Sequence, residues 1–247
     1  MSLPRVVTAE TLDHLAPDDP AARRSRRDLA RVHRAMGTRS VVCRGWRALV
    51  SSRRAGTPLR ILELGAGDGS LLLRVAQSLA PSWPQVQLTL LDRQDIVAPA
   101  TLAGYAALGW SARVQIADVL AWAARPDDAT PQPLSARWDL ITTALFLHHF
   151  EGQQLGLLLD AVASRCDRFF ACEPSRSWLA LAGSHLVGAL GANAVTREDA
   201  VLSVHAGFRG TDISAQWPRA GAHWQLRESG AGLFSHTFSA WRSGADA

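Results

Sequence analysis

Two periodicities alternate along the chain. Short runs of nearly continuous apolar character end in glycine, an acid or a small residue. Between them lie stretches whose apolar positions recur every three or four residues. The first pattern belongs to buried strands and the second to helices. "LRILEL" (Leu59 to Leu64), "VQLTLLD" (Val86 to Asp92), "ARVQIAD" (Ala112 to Asp118), "RWDLITTA" (Arg137 to Ala144) and "DRFFACEP" (Asp167 to Pro174) read as five strands. In the first intervening helix, Ser70 to Ala80, the residues Leu72, Val75 and Leu79 share one face. Pro99 to Gly109, Val119 to Ala124 and Glu151 to Arg165 read as further helices. Strands alternating with helices predict a parallel sheet covered on both faces.

The two ends of the chain depart from this alternation. "PDDP" (Pro17 to Pro20) stops one element and starts a helix in which Leu29, Val32 and Met36 form one apolar stripe, closed by Gly37. A second helix, Arg39 to Ser52, carries Val42, Trp46, Leu49 and Val50. Residues 1–56 are thus expected to form a helical cap on a domain spanning 57–247. After the fifth strand come a helix over Trp178 to Leu190 and another over Thr196 to Gly207, the latter opened by a Thr/Asp capping box. "HWQLRES" and "LFSHTFSAW" then flank "GAG" (Gly230 to Gly232). The second run alternates Phe234, His236 and Phe238 with Ser235, Thr237 and Ser239, so the pair predicts an antiparallel hairpin.

Composition narrows the picture. At 47% apolar residues, 247 residues can bury a sizeable core. The longest apolar stretch, "WLALAGSHLVGAL", is broken by Ser184 and His185 and is too short to span a bilayer. No basic region followed by an apolar stretch opens the chain, so no secretory signal and a cytoplasmic location are expected. Cys43, Cys166 and Cys172 have no CxxC spacing, so they read as reduced thiols and no metal centre is expected. All basic side chains are arginine. They outnumber acids more than two to one before Arg60 and are densest in "ARRSRRDLARVHR" (Ala22 to Arg34). Such a patch suits an anionic partner such as RNA. No aromatic residue interleaves with it for base stacking, which favours a plain solvated helix face.

In an open parallel sheet, ligands bind at the carboxyl ends of the strands, where strand order reverses. Those ends carry "ELGAGDGS", then Asp92 and Arg93, then Asp118, then Thr142 to Phe150 with "LFLHHF", then Glu173. A dinucleotide turn spaces its glycines as GxGxxG to seat a pyrophosphate. Here Ser70 takes the last position, Glu63 and Asp68 bracket the turn, and no lysine is present to meet a phosphate. S-adenosylmethionine suits these residues better. Glu63 can meet its ammonium, Asp92 its ribose hydroxyls and Asp118 its adenine amino group. Asp68 and Asp118 can also serve as helix caps.

"ILELGAGDGS", "LTLLDRQ", "VQIADVL", "WDLITTALFLHHF" and the closing hairpin together resemble class I S-adenosylmethionine-dependent methyltransferases, over Leu59 to the C-terminus. The resemblance implies an α/β, doubly wound, Rossmann-like sheet of seven strands whose last strand is antiparallel, with helices on both faces. It implies that Glu63, Gly65, Ala66 and Gly67 hold the methionine part, Asp92 the ribose and Asp118 the adenine. Arg93 and Val119 would flank the adenine ring, and Thr143 would lie near the sulfonium. His148 and His149 would border the acceptor, one of them as the base that takes a hydroxyl proton. The N-terminal cap and residues 174–222 would cover the acceptor, offering Trp46, Trp178, His185, Phe208 and Trp217 to an apolar, aromatic or polyketide-derived small molecule. Family members often carry Asn where Ala144 stands, and that amide is missing here. The tetrad used to methylate base amino groups is also missing, and no cysteine lies here for cytosine chemistry. RNA methylation through the arginine-rich segment, and a catalytically inactive module that keeps the fold, are the alternatives.

Overall fold

A computed structural model of the protein describes residues 3–50, 58–83, 85–125, 137–218 and 223–243. The expected cap boundary at 56/57 and the end of the covering segment, 219–222, lie outside these residues. Seven strands form one sheet in the order β3-β2-β1-β4-β5-β7-β6. They are β1 (Leu59–Leu64), β2 (Val86–Asp92), β3 (Trp110–Ile116), β4 (Leu140–Ala144), β5 (Arg168–Pro174), β6 (Trp224–Ala231) and β7 (Ser235–Arg242). The first five are parallel, and β7 runs antiparallel to both β5 and β6. Strand order reverses between β1 and β4, so their carboxyl ends open a crevice between them.

Both faces of the central strands β1, β2, β4 and β5 are buried, as successive strand residues point to opposite sides. Leu59 and Ile61 of β1, and Phe170 and Cys172 of β5, pack on one side with Trp46, Trp83, Tyr105 and Trp110. Leu62 and Leu64, with Phe169 and Ala171, pack on the other with Leu158, Leu159, Trp217 and Phe238. The first side is covered by α3 (Thr38–Leu49), α4 (Ser70–Leu79) and α5 (Pro99–Ala107). The second is covered by α6 (Val119–Ala124) and α7 (Gly152–Arg165). Gly45 lets α3 settle directly on β5, since a Cβ there would lie 2.1 Å from the Phe170 ring. The three cysteines are buried and free. No helix among the described residues is long and apolar enough to cross a membrane.

Several expectations need correction. A short helix, α1 (Thr11–His14), precedes α2 (Pro20–Met36) and was not expected. Asp19 caps α2, accepting from the N–H groups of Ala21 and Ala22, and Gly37 ends it in the left-handed region. The stripe of Leu29, Val32 and Met36 is only half-buried. The residues α2 buries are Ala22, Ser25 and Asp28, because its tight contact is with a polar neighbour. That neighbour is α9 (Ala194–Ala206), where Thr196 Oγ1 and Ser25 Oγ hydrogen-bond at 2.7 Å and Asp28 accepts from the Asn193 N–H at 2.7 Å. Thr196 is therefore not a cap; Asn193 is, accepting from the Thr196 N–H at 2.9 Å. The expected helix over 178–190 is α8 (Trp178–His185) followed by a 3-10 turn at Val187–Leu190, since glycines at 183, 188 and 191 weaken it. β3 begins earlier than expected, at Trp110, and β4 later, at Leu140. Trp138 makes only an isolated bridge to Cys166, and Asp139 accepts the Arg60 N–H at 2.7 Å.

Candidate active site

The turn after β1 is built from three glycines in the left-handed region, Gly65 (φ 71°), Gly67 (φ 56°) and Gly69 (φ 70°). Any side chain would strain the backbone at these angles. The N–H groups of Gly65 and Ala66 donate to the Leu91 carbonyl, and that of Gly67 donates to Asp92 Oδ2 at 2.8 Å. Asp92 Oδ1 takes the Gln94 N–H at 2.9 Å, so this carboxylate joins the ends of β1 and β2. Asp68 accepts from the Ser70 N–H just before α4, whose N-cap is Gly69; Asp118 accepts from the Ala121 N–H and caps α6. Asp118 still borders the crevice.

The crevice is a cavity of about 1000 Å³. Glu63, Gly65, Ala66, Gly67, Asp92, Arg93, Asp118 and Val119 line it together, so eight of the expected cofactor residues share one wall. Glu63 is 2% exposed and its Oε2 has no hydrogen-bond partner. Burial, reinforced by the charges of Asp92 and Asp68, pushes its carboxyl well above the usual range. A buried, orphaned carboxyl is costly unless a cation or donor meets it. The ammonium of S-adenosylmethionine is such a partner, so this wall fits that cofactor.

Thr143 is the exception. It is fully buried, does not line the cavity, and its hydroxyl donates to Glu173 Oε1 at 3.2 Å. Ala144, next in the strand, takes the cavity-facing place. Glu173, at the carboxyl end of β5, is likewise sequestered. Its carboxylate accepts the N–H groups of Phe146 (3.0 Å), Leu147 (3.1 Å) and His148 (3.3 Å), and bonds His148 Nδ1 at 2.9 Å. Leu145 sits at φ 55°, a costly angle for leucine, so the chain folds back and aims three consecutive N–H groups at one carboxylate.

The two histidines are placed differently. Both ring nitrogens of His148 are occupied, Nδ1 by Glu173 and Nε2 by Glu10 Oε1 at 3.2 Å. Burial opposes a charged ring, but the hydrogen bonds to Glu10 and Glu173 outweigh it and hold His148 up to about 9. His149 is tied by one nitrogen only, with Nδ1 3.3 Å from Asp13 Oδ2. Its burial, and then the neighbouring charge of His148, whose ring lies 4.3 Å away, push it below the ordinary histidine value.

Glu10 and Asp13 escaped the sequence reading. They come from the segment before α2, strapped across the cavity by side chains far away in sequence. Asp199 accepts the N–H groups of Thr11 and Leu12 at 2.8 and 3.0 Å, Arg5 donates to the Phe150 carbonyl at 2.9 Å, and Arg93 pairs with Asp13 at 3.6 Å. No local pattern marks either acid. Glu10, His148 and His149 also bring one potential ligand atom each within 4.8 Å of one another, so residues suited to a metal ion meet where none were expected.

The cavity is also lined by the apolar side chains of Leu29, Val32, Met36, Phe146, Leu186 and Phe234. None of the five residues expected there contributes. Trp46, Phe208 and Trp217 are core residues, Trp178 is 61% exposed, and His185 is exposed. Arg23, Arg24, Arg27, Arg31 and Arg34 face solvent from α2 and do not line the cavity, whereas Arg26 is half-buried, lines it and donates to Gln94 Oε1 at 3.1 Å.

No family model and no curated protein matches the chain. Solved structures do. The Streptomyces davawensis N,N-8-amino-8-demethyl-D-riboflavin dimethyltransferase matches over 95% of this chain and 62% of its own, with 16% identity and a TM-score of 0.53. The magnesium protoporphyrin IX methyltransferase of Synechocystis PCC 6803, solved with bound S-adenosylmethionine, matches over 94% and 88%, with 15% identity and a TM-score of 0.50. The methyltransferase domain of bacterial CtHen1-C matches over 84% and 97%, with 13% identity and a TM-score of 0.50. Others are much longer, and the chain spans about half of them, 48% in the case of the citrinin polyketide synthase CMeT domain. At these identities the likeness is one of architecture, and it agrees with the strand order, the antiparallel β7 and the position of the cavity: the chain has the fold of the class I S-adenosylmethionine-dependent methyltransferases.

Proposed function

We propose that the protein transfers a methyl group from S-adenosylmethionine to a hydroxyl of a small, largely apolar acceptor, with His149 as the base. The observation that carries this reading is the shared cavity. Three strand-end acids, Glu63, Asp92 and Asp118, line it together with a histidine whose second ring nitrogen is uncommitted. When bound, the cofactor supplies an electrophilic methyl group on a sulfonium. Glu63 would hold its ammonium, Asp92 its ribose hydroxyls and Asp118 its adenine amino group. Arg93 and Val119 would flank the adenine, beside the backbone of Gly65, Ala66 and Gly67. Asp13, whose Oδ2 lies 3.3 Å from Nδ1, would orient His149 and leave Nε2 to accept the acceptor's proton, as a carboxylate does for a general base. His148 is unsuited to that role, because both its nitrogens are engaged. The apolar lining favours an aromatic or polyketide-derived acceptor over a nucleic acid. The solved neighbours named for a riboflavin derivative and for magnesium protoporphyrin IX are in keeping with a small molecule.

The test is methyl transfer to a panel of phenols, followed by release of S-adenosylhomocysteine. His149→Ala is expected to lower kcat about 10²- to 10⁴-fold while S-adenosylhomocysteine still binds. Full activity in that variant would remove the base from the reading, and failure of the wild type to bind S-adenosylhomocysteine would remove the cofactor.

A second reading follows from Glu10, His148 and His149 as metal ligands. Glu173 on His148 Nδ1 matches the carboxylate that commonly orients a metal-bound histidine. A divalent cation there would lower the acceptor hydroxyl's pKa in place of an imidazole base. Titration with Co²⁺, followed by its visible absorption in wild type and Glu10→Gln, separates the two. Stoichiometric binding lost in the variant favours the metal, and no binding leaves His149 as the base.

A further inference from the structure

Two polar side chains in the cavity have no part in that chemistry. His33, in the last turn of α2, and Arg74, in α4, both line it. His33 Nδ1 is buried and has no hydrogen-bond partner. Among the described residues the Arg74 guanidinium has neither an ion pair nor a hydrogen bond. His33 Nδ1 is a buried group without a partner, Arg74 is a half-exposed cation uncommitted to any other described group, and together they suit an anion.

Their neighbours locate this pair. His33 lies within the fields of Arg74 and Asp68. Tyr105, whose hydroxyl donates to the Gly69 carbonyl at 2.8 Å, lies within the fields of Glu63, Asp68 and Arg74. His33 and Glu63 thus both lie in the field of Asp68, the acid of the glycine turn, and both line the cavity together with Arg74. An α-amino acid presents an ammonium and a carboxylate on one carbon, and it needs one acceptor and one donor group side by side. A phosphate would meet Glu63 and Asp68 as well as Arg74, and two acids beside one cation disfavour it.

We propose that His33 and Arg74 form the subsite for the α-carboxylate of the cofactor's amino acid end, with Glu63 on its ammonium. This rests on S-adenosylmethionine as the cofactor, and it makes α2 a cofactor-binding element as well as a cover. Arg74 supplies the charge. His33 donates its Nδ1–H as a neutral ring, so the carboxylate receives a hydrogen bond without a second buried cation. The apolar stripe of α2 beside His33 faces the acceptor region, so one helix would touch both substrates.

Binding measurements on the full chain test this with three probes. S-adenosylhomocysteine carries both charged groups, decarboxylated S-adenosylmethionine keeps only the amine, and 5′-methylthioadenosine lacks both. Arg74→Gln is expected to weaken S-adenosylhomocysteine about 10- to 100-fold, and His33→Ala about 3- to 10-fold. Both variants should bind the other two probes within about twofold of wild type, since those probes have no carboxylate to lose; normal 5′-methylthioadenosine binding also shows an intact fold. Unchanged affinity for S-adenosylhomocysteine, or an equal loss for all three probes, would overturn the assignment. A wild-type protein that binds none of them would instead overturn the cofactor on which it rests.

Discussion

Replacing Glu173 by glutamine changes one atom in size and hydrogen count, yet it is expected to be among the most damaging single substitutions in the chain. The carboxylate is fully buried and accepts from the Thr143 hydroxyl, three consecutive backbone N–H groups and His148 Nδ1. Glutamine offers one oxygen in place of two, and its NH₂ must face at least one of these donors. It also leaves the charge on His148 with Glu10 alone. A hydrogen bond to a charged group contributes about 1.5–3 kcal/mol, and removing one partner from a buried pair costs about 3–5 kcal/mol. These overlap, so a loss of about 3–5 kcal/mol is expected, which in a domain of this size lowers Tm by about 6–20 °C. Thermal unfolding by circular dichroism, with Thr143→Val beside it as the loss of a single neutral donor at about 1 kcal/mol, measures the difference. A Tm within about 2 °C of wild type for Glu173→Gln would refute the idea that this carboxylate organises the "LFLHHF" turn.

Other consequences can be checked separately. Burial, and then the charges of Asp92 and Asp68, raise the Glu63 carboxyl in the free protein, whereas a bound ammonium requires the carboxylate. S-adenosylhomocysteine affinity should therefore rise with pH up to that raised value, with proton release visible in buffers of different ionisation heat, and Glu63→Gln should flatten the rise; an equal slope in the variant would contradict it. Gly65→Ala places a Cβ 2.1 Å from the Phe146 ring at φ 71°, while Gly67→Ala at φ 56° meets nothing within 4 Å. Unfolding measurements should give about 2–4 kcal/mol for the first and about 1–2 kcal/mol for the second, and equal costs would mean that Phe146 does not hold the turn. Asp92→Ala frees the Gly67 N–H and removes the expected ribose partner, so calorimetric titration should show at least about tenfold weaker S-adenosylhomocysteine binding. Unchanged affinity would remove Asp92 from the site.

By itself, the sequence determined the layered sheet, the glycine turn and the strand-end acids that line the cavity. The signals for these are local. A buried strand must be apolar along its whole length, a left-handed turn must be glycine, and chain order places each strand-end acid, so Glu63, Asp92 and Asp118 could be read in succession. Asp118 shows the limit of that, since the same position also caps α6. The rest of the cavity lining was decided only by tertiary structure. Glu10 lies 138 residues from His148, and only the folding of the N-terminal segment over α9 and the "LFLHHF" turn brings them together. That contact separates two adjacent histidines that look equivalent in sequence, one held between carboxylates and one left with a free nitrogen. The aromatics chosen for the acceptor lining went to the core instead, because burial depends on which elements pack together. The half-buried stripe of α2 took their place: periodicity marked it as apolar, but only the packing of α2 on α9 through Ser25 and Asp28 left it facing a cavity.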